Sequence, residues 1–321
     1  MKSIRINSYG PAENLEVVEA PVPGFNQNEI LVKVHAAAVN HIDELKASGQ
    51  IKHIYPLTFP WTPGCDFSGI IQATGSAVHG FAPGDEVYGS NTNGGAYAEY
   101  IVVTPEMIAK KPTTLSFIEA ASVPMAAETA NQALFNYAHL TSGQKILIHG
   151  AAGAVGSYAV QLAHQAGGYV IGTASSAHHE YLKLLGADEV IDYTTPFEKV
   201  VQNTDIVFDL VGGEVQEKSF GIIKEGGILI AVNQPPSLEA AKEHGITAVF
   251  MHAKPTNSGL TKIAFLIDEG KLKTNIAHVY GLEDIVQAWI NISSNLANNK
   301  LPADFINANY RKRHGKHVIQ I

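Results

Sequence analysis

Between Lys145 and Gly168 an apolar run, Ile146-Leu-Ile148, meets three glycines spaced three apart, Gly150, Gly153 and Gly156, and Tyr158 to Ala166 then continues in an amphipathic helical pattern closed by Gly167-Gly168. This reads as a strand, a tight turn and a helix N-terminus. A pyrophosphate suits such a turn, because the absent Cβ atoms let it approach the backbone while free N–H groups and the helix dipole attract it. The spacing is G-x-x-G-x-x-G rather than G-x-G-x-x-G, and glycine-rich turns before helices also serve packing alone. Context favours the ligand. Val/Ile runs at 169–175, 189–193, 204–210, 226–232 and 247–251 alternate with helical patterns, as in an α/β fold with a doubly wound parallel sheet. A dinucleotide is therefore expected over Gly150, Gly153, Ala154, Val155 and Gly156.

At 321 residues the chain suits two domains. Its 22 basic and 30 acidic residues give a net charge of −8, which speaks against nucleic acid or an anionic membrane as partner. The apolar runs fall short of the ~20 residues of a membrane span, and the start, Met-Lys-Ser-Ile-Arg, lacks a secretory core, so a soluble cytoplasmic protein is expected. One cysteine, Cys65, excludes an intramolecular disulfide and a Cys-rich zinc site.

The first hundred residues are β-rich, with strand patterns at 3–7, 15–20, 29–38, 69–75, 86–88 and 96–103 separated by Gly-Pro, Pro-Gly and Asn-Gly turns. A small antiparallel barrel is expected from them. Gly64-Cys-Asp-Phe-Ser-Gly69, Gly80-Phe-Ala-Pro-Gly84-Asp-Glu-Val-Tyr-Gly89 and the Gly150–Gly156 turn, in this order, resemble the medium-chain dehydrogenase/reductase superfamily, in particular its zinc-independent quinone oxidoreductase branch. Val39-Asn40-His-Ile-Asp43, Gly186-Ala-Asp-Glu-Val-Ile-Asp-Tyr193 and Phe208-Asp-Leu-Val-Gly212-Gly213 extend the likeness over nearly the whole chain. The resemblance implies a Rossmann-type domain at 125–265 and a GroES-like β-rich barrel domain formed by both chain ends, 1–124 and 266–321.

Zinc members of that superfamily place cysteine, histidine and glutamate where this chain has Asn40, Cys65 and Asp66. A catalytic zinc needs three such ligands together, so no metal is expected here. From about residue 124 the cofactor domain begins, with a helix over 126–140 that carries Thr129. The resemblance places Thr129 near the nicotinamide or the phosphates; the alternative is a helical threonine bonded to its own backbone. At the end of the second strand, where an acid would accept the ribose 2′-OH of NAD, stand Ser175 and Ser176. Hydroxyls tolerate a 2′-phosphate, which favours NADPH (NADP+), although relatives carry Arg or Lys where this loop has Ala177. His178 is a further candidate there, weighed against a surface histidine, and Tyr193 matches a tyrosine that lies against the adenosine phosphate in relatives. Val211, Asn233, Phe250 and Met251 end later strands on the ligand edge of such a sheet. In relatives the last strand pairs with its copy in a second subunit, so a homodimer through 247–251 is expected. The segment 295–313, ending Tyr310-Arg-Lys-Arg313, reads as a surface loop.

The resemblance implies NADPH-dependent reduction of a small apolar quinone, or of an enone or 2-alkenal, in a cleft between the domains. The alternatives are an NADPH-binding redox sensor or crystallin-like protein, and a zinc alcohol dehydrogenase. Hydride transfer is cofactor chemistry, and the protein must supply hydrogen bonds to the oxygen that gains charge. Asn40, Asp43, Lys46 and Tyr55 are the candidates. Asp43 and Lys46 share a helix face at i,i+3, where an exposed ion pair is the plain alternative. Tyr55 belongs to Ile54-Tyr-Pro-Leu-Thr-Phe-Pro-Trp61, an apolar stretch suited to a planar apolar substrate, and Cys65 reads as small core packing.

Overall fold

The structure, a computed structural model, describes residues 1–296 and 315–321. In chain order it holds β1 (Lys2–Arg5), β2 (Glu16–Glu19), β3 (Ile30–Ala38), α1 (His41–Ala47), β4 (Asp66–Thr74), β5 (Glu86–Ser90), β6 (Tyr100–Val103), β7 (Ile108–Lys110), α2 (Phe117–Ala121) and α3 (Pro124–Asn131). There follow β8 (Lys145–His149), α4 (Ala154–Gln165), β9 (Tyr169–Ala174), α5 (His179–Leu184), β10 (Glu189–Asp192), β11 (Thr204–Asp209), α6 (Glu214–Ser219), β12 (Ile223–Ala231), α7 (Leu238–Glu243) and β13 (Thr247–Phe250). The chain closes with α8 (Asn257–Asp268), β14 (Ile276–Gly281), α9 (Ile285–Leu296) and β15 (Lys316–Gln320). Two compact units result: Met1–Met125 with Pro255–Glu269 and Thr274–Ile321, and Ala126–Lys254 with Gly270–Lys273. The basic run at 310–313 lies outside the described residues.

In the first unit a seven-stranded sheet runs β14-β15-β3-β4-β5-β7, with β6 beside β3. Its pairings are antiparallel except β14 with β15, which is parallel rather than part of an all-antiparallel barrel. Parallel neighbours need a long crossover, and the chain from Gly281 to Lys316, which includes α9, provides it. Ile4, Ile30, Val32, Phe67, Val87, Tyr97 and Trp289 form the core under this sheet. The segment 255–265, expected with the cofactor domain, packs in this unit. Tyr88 Oη donates to Leu260 O at 2.6 Å and Asn257 Nδ2 to Ile108 O at 2.7 Å, so α8 is tied to β5 and β7.

The second unit is a six-stranded parallel sheet in the order β10-β9-β8-β11-β12-β13. Counted from β8 this is 3-2-1-4-5-6, the doubly wound order whose switch point lies beside the first strand. β8 is central because Ile146, Leu147 and Ile148 are each 0% exposed and covered on both faces. The helix expected over 126–140 is shorter. α3 ends at Asn131 and passes into a wider turn over Gln132–Tyr137, where Ala138 N donates to Ala133 O, five residues back.

Candidate active site

The glycines of the turn after β8 differ in purpose. Gly150 has φ +69°, a left-handed conformation that other residues adopt at a cost. Gly156, in the first turn of α4, lies so close to the turn that an added Cβ would stand 2.4 Å from Gly150 O. Gly153 is the N-cap of α4 and has no side chain to cap it, so the N–H groups of Ala154, Val155 and Gly156 open the helix without intrahelical acceptors. The turn is open at Gly153, which is exposed. On an adjoining loop, Asp209 Oδ1 accepts from Val211 N and Gly212 N at 2.9 and 3.0 Å, which shapes the edge where Val211 lies exposed. An anion cradle with small walls fits the pyrophosphate of a dinucleotide.

Further along that edge, Ser175 Oγ lies 3.1 Å from His178 Nδ1, so His178 belongs to this corner rather than to open surface. Burial lowers the affinity of His178 for a proton, aided by neighbouring His179. Ser176 N donates to Asp192 Oδ2 at 2.9 Å. Asp192 brings to this corner an acid that the end of β9 lacks. It comes from the end of β10, in register with Ala174, and its Oδ1 accepts from Thr194 N and Thr194 Oγ1. Those Thr194 bonds hold it below the usual carboxylate range. Lys183 is turned to Asp188 O. Tyr193 is exposed, Asn233 Nδ2 donates to Leu210 O, Met251 N donates to Ala231 O, and the Phe250 ring meets His252 edge-on at 4.7 Å. Thr129 is buried in α3 and makes contacts of its own.

The catalytic candidates of the first unit lie where three strand ends meet. Antiparallel register sets Ala38 of β3 opposite both Val318 of β15 and Asp66 of β4. Asn40, just past β3, Asp66 and Lys316 therefore converge although they are far apart in sequence. Asn40 Nδ2 donates to Asp66 Oδ2 at 3.1 Å, and Lys316 Nζ donates to Asn40 Oδ1. From α1, which starts after Asn40, Asp43 and Lys46 point into the same interior, only 0% and 3% exposed. The exposed ion pair weighed for them does not form. Lys46 Nζ donates to Thr92 O at 2.5 Å and lies 4.9 Å from the centre of the half-buried Tyr55 ring.

Cys65 is not plain packing: its thiol donates to Asp43 Oδ1 at 2.8 Å. Asp43 Oδ2 is buried with no hydrogen-bond partner among the described residues. Burial pushes Asp43 up to about 6, against the lowering effect of the Cys65 bond and of Lys46. Burial likewise raises Asp66 and the Cys65 thiol and lowers Lys316, whose charge Asp66 and Asp43 help to keep. Lys316 and the hydrogen-bonding roles of Asp66 and Cys65 went unread in the sequence. The available signal was a charged residue heading an apolar terminal strand and an aspartate inside the apolar run Cys65-Asp-Phe67.

Residues 26–113 match the alcohol dehydrogenase GroES-like domain family, and residues 185–301 match the zinc-binding dehydrogenase family. Over 310 residues the chain is 34% identical to a chloroplast envelope quinone oxidoreductase homolog of Arabidopsis thaliana, covering 90% of this chain and 94% of that one. The chain belongs to the quinone oxidoreductase branch of the medium-chain dehydrogenase/reductase superfamily. The structure of the quinone oxidoreductase from Coxiella burnetii superposes with a TM-score of 0.87 at 34% identity, covering 100% of this chain and 99% of the other. A 2-methylene-furan-3-one reductase of Solanum lycopersicum is 39% identical over 245 residues, 72% of this chain and 62% of that one. Members of this branch are oxidoreductases on a nicotinamide dinucleotide-binding fold, and so is this chain. No helix among the described residues is long and apolar enough to cross a membrane.

Proposed function

We propose that this chain is an NADPH-dependent quinone oxidoreductase that works without a metal. The observation that carries this reading is the buried set Asn40, Asp43, Lys46, Cys65, Asp66 and Lys316, which offers hydrogen-bond donors and balanced charges where zinc members hold ligands. Asn40 is an amide held by Asp66, and a lysine ammonium stands 3.9 Å from Asp66 Oδ2, where a zinc ion's charge would be opposed. This donor set does not suit zinc.

The N–H groups of Ala154, Val155 and Gly156 would hold the pyrophosphate, with Ser175, Ser176, His178 and Tyr193 at the adenosine end. The bound dihydronicotinamide supplies the hydride. Asn40 keeps one Nδ2 proton beyond the one given to Asp66, and with the Lys46 ammonium it donates to the substrate oxygen as that oxygen gains charge. Asp43, its Oδ1 engaged by the Cys65 thiol, sets the charge felt by Lys46, three residues on in α1. Tyr55 and the stretch 54–61 offer apolar cover for a planar acceptor.

Reduction of an enone or 2-alkenal is the second reading, favoured by the Lys46 ammonium and by the likeness to the tomato reductase. Stopped-flow oxidation of NADPH and of NADH against 1,4-benzoquinone, 9,10-phenanthrenequinone and a 2-alkenal decides between them. Fast quinone turnover with NADPH is the expected result; a faster alkenal reaction moves the function to enone reduction. Saturable NADPH binding with no oxidation by any acceptor would point to a sensor. Among the described residues β13 is an edge strand of the parallel sheet, which supports a homodimer built by pairing that edge with its copy. Sedimentation should give a mass near twice the monomer's 34.3 kDa.

A further inference from the structure

Asn40 stands at the N-cap of α1, where an asparagine side chain normally accepts a hydrogen bond from the first turn, yet its side chain makes no such bond. The amide is held from both ends instead. Lys316 Nζ donates to Oδ1, while Nδ2 donates to Asp66 Oδ2 at 3.1 Å. A lysine ammonium only donates and an ionised carboxylate only accepts, so the two neighbours dictate which end of the amide is oxygen and which nitrogen. Both neighbours are fixed in turn. Lys316 Nζ also reaches Val39 O at 3.4 Å, and Asp66 accepts from Met125 N at 3.2 Å through each oxygen. Asn40, Asp66 and Lys316 are 8%, 0% and 7% exposed, so water does not replace any of these partners.

We propose that Lys316 is a positioning residue, which clamps the Asn40 amide so that its free Nδ2 proton always faces the oxygen being reduced. This rests on the reading of Asn40 as a donor to substrate. Without Lys316 the amide can turn over and present Oδ1, whose lone pairs repel the charge that develops. Register explains why the role falls to Lys316: β15 runs antiparallel to β3, so the first residue of β15 arrives beside the residues that follow the end of β3.

Lys316→Arg, Lys316→Met and the pair Lys316→Met with Asp66→Asn test the clamp. The pair removes both charges, so neither is left buried alone if the single variant fails to fold. Three quantities are read for each: kcat and KM with a quinone, the Kd for NADPH, and the side-chain NH2 resonances of Asn40, assigned by their loss in Asn40→Ala. The double variant is expected to melt and to bind NADPH as the wild type does, to lose kcat by about 100-fold with KM little changed, and to shift the Asn40 NH2 signals. Lys316→Arg should restore most of kcat and the NH2 signals. In an Asn40→Ala background the pair should cost no further activity, because both act through one group. A folded double variant with wild-type kcat and unmoved NH2 signals overturns the clamp, as does a kcat loss that adds in full to that of Asn40→Ala. If Asn40→Ala itself leaves kcat unchanged, the donor reading of Asn40 fails, and the NH2 signals alone still show whether Lys316 holds the amide.

Discussion

The glycine turn after β8 offers backbone N–H groups and few side chains, whereas the cluster where β3, β4 and β15 end consists of side chains from widely separated stretches. A backbone site depends on where a Cβ is missing, so it tolerates varied sequence around three fixed positions. A side-chain site depends on balanced charges in a dry interior, so each member holds its neighbours in a state it would not adopt alone. Asp43 at about 6, raised chiefly by burial, shows this, as does Asn40, which forgoes capping its own helix to pair with Asp66 and Lys316.

Substitutions should therefore separate the regions. The largest effect is expected from Asn40→Ala: if Asn40 donates to the reduced oxygen as proposed, its loss should lower kcat by about 10² to 10³ with the Kd for NADPH unchanged. A matching loss of NADPH affinity would blur the division between the regions. Gly156→Val is the counterpart. Its Cβ would meet Gly150 O, so the turn must open at a cost of about 1–3 kcal/mol, and NADPH should bind roughly tenfold to a hundredfold more weakly by titration.

Acid stability sharpens the contrast. The Asp43 carboxyl goes from about 6 when folded to 3.8 when unfolded, so between those values the folded state binds more protons. Its contribution is full below 3.8 and is lost as pH rises through 6, about 3 kcal/mol in all. Buried His149 and His317, lowered by burial from 6.5 to about 4, act in the opposite sense, and their contribution is lost as pH falls through 4. Urea unfolding of wild type and Asp43→Asn at pH 4 and pH 7.5 isolates the aspartate. From pH 4 to pH 7.5 the variant should gain on wild type by about 2 kcal/mol, and a pH-independent difference would contradict its buried, proton-holding state. The smallest effect concerns the corner formed by Ser175, Ser176 and Asp192. Asp192→Asn removes a carboxylate from Ser176 N and should raise the ratio of NADPH to NADH affinity by up to about tenfold, measured with 2′,5′-ADP against 5′-AMP.

How far each region could be read from sequence follows from its construction. The turn was legible because a strand, three glycines and a helix are contiguous, and the alternating strands fixed the doubly wound sheet around it. Asn40, Asp43 and Lys46 were visible as neighbours on one helix start. Their burial was not, because it depends on β15 and β4 closing over them. Lys316 is 276 residues from Asn40, and only antiparallel register brings them together. Asp192 is hidden for a similar reason: an acid at this corner is expected at the end of β9, whereas its parallel neighbour β10 delivers it. The shortened α3 follows from the wide turn at 132–137, for which the helical pattern of 126–140 gives no sign.

The most direct test of a metal-free side-chain site is NADPH oxidation by a quinone in protein treated with a strong chelator, run beside Asn40→Ala. Chelation should leave the wild-type rate unchanged, while Asn40→Ala should slow it by about 10² or more and still bind NADPH normally. A rate that disappears on chelation and returns with zinc would contradict such a site, as would an Asn40→Ala enzyme as fast as the wild type.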